Sequence, residues 1–345
     1  MPAKLSVKTE AWALFDYIVA VAAPDGEHSN PWVREHDGRL RFEPDYRALE
    51  LLLGVPLHLK AGTQSGVPAL ALDVWLSYEF RRAGFDSDQV WPRPTHPRIL
   101  PAAVAALAKS LPGKLKAELS HRIATTANIR GVTAASANIL GKNYLKQVDV
   151  IITDWITGPE LLVSTKRMDS SYGKNAPNRV EESYGDAKNL RLRHPLAALG
   201  FIFGLRSDIL HREPATAEWL FDLLTKLGRE DDAYHATGLI LMEYADEAAL
   251  PDGPTEPDQD GVPEPGVEAD EEGVDLPAQI PGAKVAEIIG HLPTVTILRQ
   301  RTPEELDPGR FLAAMVARVL AATPVNMHQE ARRRRVSALP PPAVG

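Results

Sequence analysis

The sequence predicts an α/β fold, and three observations carry the prediction. Residues 147–168, QVDVIITDWITGPELLVSTKRM, hold two apolar, β-branched runs separated by a turn sequence. Segments with the apolar spacing of helices stand before and after this hairpin. Residues 195–205 and 235–244 are short apolar runs of the kind that form buried strands, and they alternate with helical segments.

Taken in order, residues 11–23 and 45–53 read as helices, with Trp12, Phe15 and Tyr17 as core-facing aromatics. Residues 69–85, ALALDVWLSYEFRRAGF, form a helix with an apolar stripe of Leu72, Trp75, Leu76 and Phe80 and a stop at Gly84. Glu79 lies beside that stripe, one turn from Arg82. Residues 89–91 read as a short strand, and a proline-rich extended loop follows. Residues 102–124 give one or two helices, interrupted at Gly113. Residues 125–146 are rich in Thr, Ser, Asn and Gly and read as a loop. In the hairpin, 148–153 and 160–166 are the strands. The reversal is expected at Gly158-Pro159, because neither residue suits a regular ladder. Residues 178–193 form a helix with Pro177 at its start, so Glu181 and Glu182 fall in the first turn, where the macrodipole favours carboxylates. Residues 216–227 and 308–323 are further helices, and 294–298 is an added strand. The run Arg332 to Arg335 is expected to be solvated.

These elements divide the chain into an N-terminal helical segment (1–68), an α/β core (69–245), an acidic linker (246–283), an α-rich segment (284–330) and a basic, proline-rich tail (331–345). The linker cannot bury enough surface to order itself.

The 345 residues include no cysteine, which excludes disulfides, thiolate metal sites and cysteine nucleophiles. Net charge is −8, but residues 251–275 hold ten acids and no base, so the rest of the chain carries +2. The acidic balance therefore does not argue against a nucleic-acid partner. The apolar run 11–23 contains Asp16 and lacks a basic start, and 195–205 is too short to cross a bilayer. The expected address is the cytoplasm, with no membrane partner. Phosphate-loop, nucleotide-fingerprint and HExxH strings are absent, and no serine sits in a nucleophile elbow.

Chemistry concentrates on the hairpin. Folding it about Ile156 and Thr157 sets Asp149 opposite Ser164 and Thr165, while Ser164 and Lys166 share a face. A carboxylate and an ammonium then lie side by side on an apolar hairpin, as a structural salt bridge or as a site. The strand is followed at once by Arg179-Val-Glu181-Glu182 on a helix. An Asp on one strand, Ser-Thr-Lys on the next and Arg-x-Glu on the following helix resembles the PD-(D/E)XK restriction-endonuclease superfamily. It is nearest to the branch with Ser-x-Lys and a glutamate relocated to the helix. Val148 stands where that motif has proline.

The resemblance, which spans roughly residues 69–244, implies a restriction-endonuclease-like mixed sheet flanked by helices, with added helical segments. It implies catalytic roles for Asp149, Ser164, Lys166 and Glu181. It implies a Mg²⁺ (or Mn²⁺) ion held by Asp149 and by Glu181 or its neighbour Glu182, with Glu79 as a further ligand from the preceding helix. The substrate would be double-stranded DNA, contacted by Arg167, Lys174 and Arg179 after the hairpin and by Arg130 and Lys142 before it. The active form would be a homodimer or larger. The expected function is a Mg²⁺-dependent DNA endonuclease of restriction or defence type. The alternatives are an inactive nuclease fold that binds DNA or protein in a defence or repair assembly, and an unrelated α/β scaffold.

Overall fold

The computed structural model describes residues 6–125, 129, 132–133, 137–250 and 280–340. In chain order the elements are α1 (Val7–Ala22), β1 (Trp32–Arg34), β2 (Leu40–Phe42), α2 (Tyr46–His58), α3 (Val67–Arg82), β3 (Val90–Trp91), α4 (Ala102–Ser110) and α5 (Gly113–Thr125). Next come β4 (Asn138–Leu140), β5 (Leu145–Gln147), β6 (Val150–Asp154), β7 (Gly158–Met168), α6 (Tyr172–Arg191), β8 (Ala198–Arg206), α7 (Ile209–Arg212), α8 (Pro214–Leu227) and β9 (Ala236–Glu243). The chain closes with α9 (Gly282–Ile289), β10 (Thr296–Ile297), α10 (Pro308–Ala322) and α11 (Gln329–Val336).

The fold is α/β, a mixed sheet flanked by helices. Strand order is β10-β9-β8-β7-β6-β3. The pairs β7/β8 and β8/β9 are parallel, and β6/β7, β3/β6 and β9/β10 are antiparallel. Strand alternation divides the core into two layers. Val150, Ile152, Leu161, Val163 and Ile202 pack with α1, α2, α3 and α10. Ile151, Leu162, Leu199, Phe201 and Phe203 pack with α6 and α8. Helices α1 and α2 share the first layer with the sheet, so the N-terminal segment is built into the core rather than appended to it.

Hairpin register follows the expected pairing: Val150 faces Val163, Ile151 faces Leu162 and Ile152 faces Leu161. The reversal is tighter than the Gly158-Pro159 expectation. The turn lies at residues 155–157, where the Asp154 carboxylate accepts from the Ile156 amide at 2.8 Å. Strand β7 already begins at Gly158. A register shift between Ile152 and Thr153 absorbs Gly158 (φ +73°) and places Pro159 opposite Thr153. A proline is tolerated so near a strand's start, and glycine takes the left-handed φ without strain.

Three further expectations are corrected. Helix α6 starts at Tyr172, not Asn178, which puts Gly173 and Lys174 in its first turn and Pro177 inside it. Tertiary anchors hold this early start. The Tyr172 hydroxyl donates to the Asp169 carbonyl (2.9 Å) and bonds Asp208, and the Gly173 amide donates to Glu213 at 2.8 Å. Glu181 and Glu182 therefore lie in the third turn, beyond reach of the N-terminal dipole. Secondly, part of 125–146 is the small β4–β5 hairpin, docked on α6 where Asn189 accepts from the Asn143 amide at 2.9 Å.

The arginine run is not a solvated tail but helix α11. Arg332 donates to the carbonyls of Leu320 (2.8 Å), Thr323 (3.0 Å) and Pro324 (3.1 Å), which α10 leaves open at its end. Arg334 reaches the carbonyls of His28 and Arg82, and Arg335 lies over the Trp32 ring. The acidic stretch 251–275 lies outside the described residues. Its expected boundaries shift inward, since Leu250 is buried and α9 begins at Gly282. Among the described residues, no helix is long and apolar enough to cross a membrane.

Packing also sets a pH dependence. The Leu199 amide donates to His235 Nδ1 at 2.9 Å and the Arg191 guanidinium sits 2.6 Å from Nε2. Burial, then Arg191 and Arg318, lowers His235 from 6.5 to about 4. Between those values the unfolded chain binds the proton and the native chain does not, so stability falls as pH drops from about 6.5 towards 4. Glu79 acts in the opposite sense, because burial raises it to about 7. The His235 contribution is therefore isolated by difference. Urea midpoints at pH 7 and pH 5 should fall less in His235→Gln than in the wild type, and equal falls would remove His235 from the account.

Candidate active site

The sheet opens into a cleft of about 320 Å³ where β7 ends, between that strand end, the approach to β6 and the first half of α6. Asp149, Ser164 and Lys166 all line it. Asp149 immediately precedes β6, and continuing the ladder sets it opposite Ser164, on the α6 side of the sheet. Its Oδ2 accepts the Thr165 amide at 2.7 Å. Ser164 is buried and hydrogen-bonds the Tyr234 hydroxyl, which itself donates to the Ser183 carbonyl at 2.8 Å. Lys166 keeps its ammonium partly exposed in the cleft.

Thr165 points to the other face of β7, and there its hydroxyl donates to Asp73 of α3 at 2.6 Å. Burial, and next the charge of Asp149, pushes the Asp73 carboxyl well above the usual carboxylate range. Two carboxylates thus flank one residue of β7, one from each side of the sheet.

Sequence reasoning chose Glu79 as the acid of this helix, and the structure corrects that choice. Glu79 is fully buried, but one oxygen accepts the Asp45 amide at the start of α2 and the other pairs with Arg82, both at 2.7 Å. Six residues separate Asp73 and Glu79, about 9 Å along a helix and roughly 120° around it, so Glu79 cannot share the place of Asp73 beside Thr165, and neither of them lines the cleft. The signal for Asp73 was present in ALALDVWL. It has no base three or four residues away, so its partner had to be tertiary.

The two neighbouring glutamates of α6 point in different directions. Glu181 is exposed and does not line the cleft. Glu182 is the residue turned towards Lys166, at 3.9 Å, and it also pairs with Arg179 at 3.2 Å. Adjacent residues on a helix point about 100° apart, so turning Glu182 inward turns Glu181 out.

The cations divide similarly. Lys174 and Arg179 line the cleft, and Lys174 has no ion pair among the described residues. Arg167 lines the wall too, but its side chain is buried and held by Asp169 through Nε and NH2, both at 2.9 Å, so it is corrected from a DNA contact to a structural cation. Lys142 is exposed in the β4–β5 turn, away from the cleft. Arg130 lies outside the described residues. Lys146 is buried in the wall 2.7 Å from Asp186. In total Lys146, Lys166, Arg167, Lys174 and Arg179 face Asp149, Asp169 and Asp186, so the wall is net positive.

Among the described residues, no three His, Asp or Glu side chains form a metal-ligand group. Mg²⁺ needs less, since one or two carboxylates suffice when water and substrate oxygens complete its shell. Asp149 gives the cleft one carboxylate of that chemistry, and Asp73, which does not line the cleft, holds Thr165 from the other face of the sheet.

No family model matches the chain, and neither the curated proteins nor the solved structures compared with it give a match.

Replacing Thr165 by valine leaves the buried Asp73 without its donor, and should cost about 1–3 kcal/mol in urea unfolding at pH 7. Glu181→Ala, at an exposed helical position, should stay within about 0.5 kcal/mol of wild type. If Thr165→Val unfolds like wild type, the bond to Asp73 contributes nothing to holding this site.

Proposed function

We propose that the chain is a metal-dependent endonuclease acting on double-stranded DNA, with Asp149 and Lys166 at its centre. The observation that carries this reading is their projection, with Ser164, into one net-positive cleft from paired antiparallel strands. The order β6, β7, α6 supports the superfamily resemblance, although the glutamate turned towards Lys166 is Glu182 and not the expected Glu181.

Each residue has a defined task in that reading. Lys166, beside the cleft and partly exposed, binds a non-bridging phosphate oxygen and stabilises the charge that builds there during displacement. Asp149, fixed by the Thr165 amide, would hold Mg²⁺, with Asp73 supporting it. When bound, the ion supplies charge neutralisation at the phosphate and a more acidic water. Lys174 and Arg179 position the DNA backbone along α6. Ser164, tied to Tyr234, shapes the floor and is not a ligand. Cutting both strands calls for two such centres, hence a homodimer, and a DNA substrate places the protein in the cytoplasm.

One observation favours a second reading, a nuclease fold that binds DNA without cutting. The acids in and beside the cleft are engaged: Asp149 by the Thr165 amide, Asp186 by Lys146, Asp169 by Arg167 and Glu182 by Arg179.

Purified protein mixed with supercoiled plasmid and Mg²⁺ should nick or linearise it. Lys166→Ala and Asp149→Asn should each lose at least 100-fold in rate while still shifting DNA in Ca²⁺, since phosphate contacts come from other residues. Binding without cleavage in the wild type selects the second reading. Neither cleavage nor a gel shift sinks both.

A further inference from the structure

Four of the five most exposed large apolar side chains among the described residues stand at one end of the sheet. Trp155 is 95% exposed and Ile156 83%, both in the β6–β7 turn, while Val325 is 78% exposed and Leu196 72%. The fifth, Val336, ends α11.

The topology brings the four together. Ala198 at the start of β8 faces Leu161 of β7, so the segment 192–197 leading into β8 stands level with Gly158 and Pro159, beside the turn. On the other side of the sheet, Glu160 ties the turn to the chain between α10 and α11. Thr157 Oγ1 donates to its Oε1 at 2.6 Å, and His328 Nε2 lies 2.8 Å from its Oε2. Val325 comes three residues before His328, and the Gln329 side-chain amide donates to its carbonyl at 2.7 Å. Leu192, Pro195 and Pro324, all exposed, extend the same surface.

None of these apolar side chains closes the turn. The Asp154 carboxylate does so, accepting from the Ile156 amide and from the Gln89 side chain, both at 2.8 Å. Polar groups therefore hold the tip in place while Trp155 and Ile156 face water. Such preorganised apolar groups need little further ordering on association.

Area and charge select what covers them. An exposed indole offers roughly 200 Å², and the four side chains together offer on the order of 500 Å², at the upper end of the apolar patches found on monomers. A standard interface takes about 800 Å² from each partner, so two such patches with their proline rims make up most of one. Residues 150–165 hold no lysine or arginine, and Arg193 and His194 are the only cations in the segments 155–157, 192–196 and 324–327. A phosphate backbone or an anionic membrane needs more counter-charge than that. A second copy needs none, because about a two-fold axis the same apolar patch meets itself.

We propose that this end of the sheet is an isologous interface, through which two copies of the chain pair by their β6–β7 turns. Trp155 and Ile156 lie at its centre, where aromatic anchors carry most of the binding energy. Lys166 is eight residues beyond Gly158 on β7, roughly 25 Å along the strand, so the cleft of each copy stays open at the outer end. The contact is therefore distinct from a pairing of two centres on one duplex, and it does not rest on the nuclease reading.

Sedimentation of the full chain over a wide range of concentration tests this. Trp155→Ser combined with Ile156→Ser should halve the mass of the wild-type assembly and leave Tm of the dilute protein unchanged, since both positions are exposed. The chain has no cysteine, so Ile156→Cys supplies a single thiol beside the axis. Oxidised with diamide, it should give a disulfide-linked dimer, and Val21→Cys, exposed on α1, should not. A wild type that stays monomeric at every concentration overturns the proposal. So does equal mass in the double serine variant, or cross-linking of Val21→Cys as fast as Ile156→Cys. Flotation of the wild type with phosphatidylserine vesicles, lost in the double variant, would assign the patch to a lipid surface and overturn it as well. None of these readouts depends on DNA.

Discussion

One residue of β7 joins the two sides of the sheet at the point where the chemistry would occur. The amide of Thr165 is given to Asp149 and its hydroxyl to Asp73, so a single position fixes two carboxylates that enter from different elements. Neither bond is available elsewhere on the strand. Residues further towards the hairpin tip spend their amides on the ladder with β6, while Asp149 stands just beyond the start of that strand. The end of the β6 ladder therefore does what a separate loop does in many sites: it frees a backbone donor and aims it at an acid. Burial, and then the charge of Asp149, raises the proton affinity of Asp73. That burial comes from the packing of α3, whose residues are buried on nearly every side.

The rest of the cleft follows a rule of local compensation. Buried cations in its wall each have a carboxylate, as Lys146 has Asp186 and Arg167 has Asp169. These pairs hold shape, because breaking one would leave a buried charge without its counterion. Of the cations of α6 that reach the opening, Arg179 pairs with Glu182, while Lys174 has no ion pair among the described residues. Shape and attraction are thus carried by different residues, which is why a count of basic residues in the sequence overstates the number available to a polyanion.

The same distinction separates the C-terminal arginines from a nucleic-acid tail. Arg332 and Arg334 donate to main-chain carbonyls at helix ends and loops, and Arg335 covers an aromatic ring. They bind the end of the chain to its beginning, where Leu339 also pairs with β1 through the Trp32 carbonyl and the Arg34 amide. Arg81, also buried, donates to the Pro92 carbonyl and to Ser77 rather than to a carboxylate.

The sequence by itself determined the α/β class, the hairpin register and the placing of Asp149 with Ser164 and Lys166. These rest on periodicity and on alternation along a strand, which are local properties and hold whatever the chain packs against. Most strands and long helices were legible for the same reason, including β3, β8, β9 and α10. Tertiary structure alone decided the start of α6, since Tyr172 and Gly173 gain partners from Asp208 and Glu213 some 40 residues away. It turned Glu182 rather than Glu181 towards Lys166, because the rotation of a helix about its axis is set by what it packs on. It set Asp73 rather than Glu79 against Thr165 on a helix buried all round, where an amphipathic stripe has no meaning. And it turned a run of four arginines from a solvated tail into a helix, through carbonyls whose need for donors is invisible until the other helices have ended.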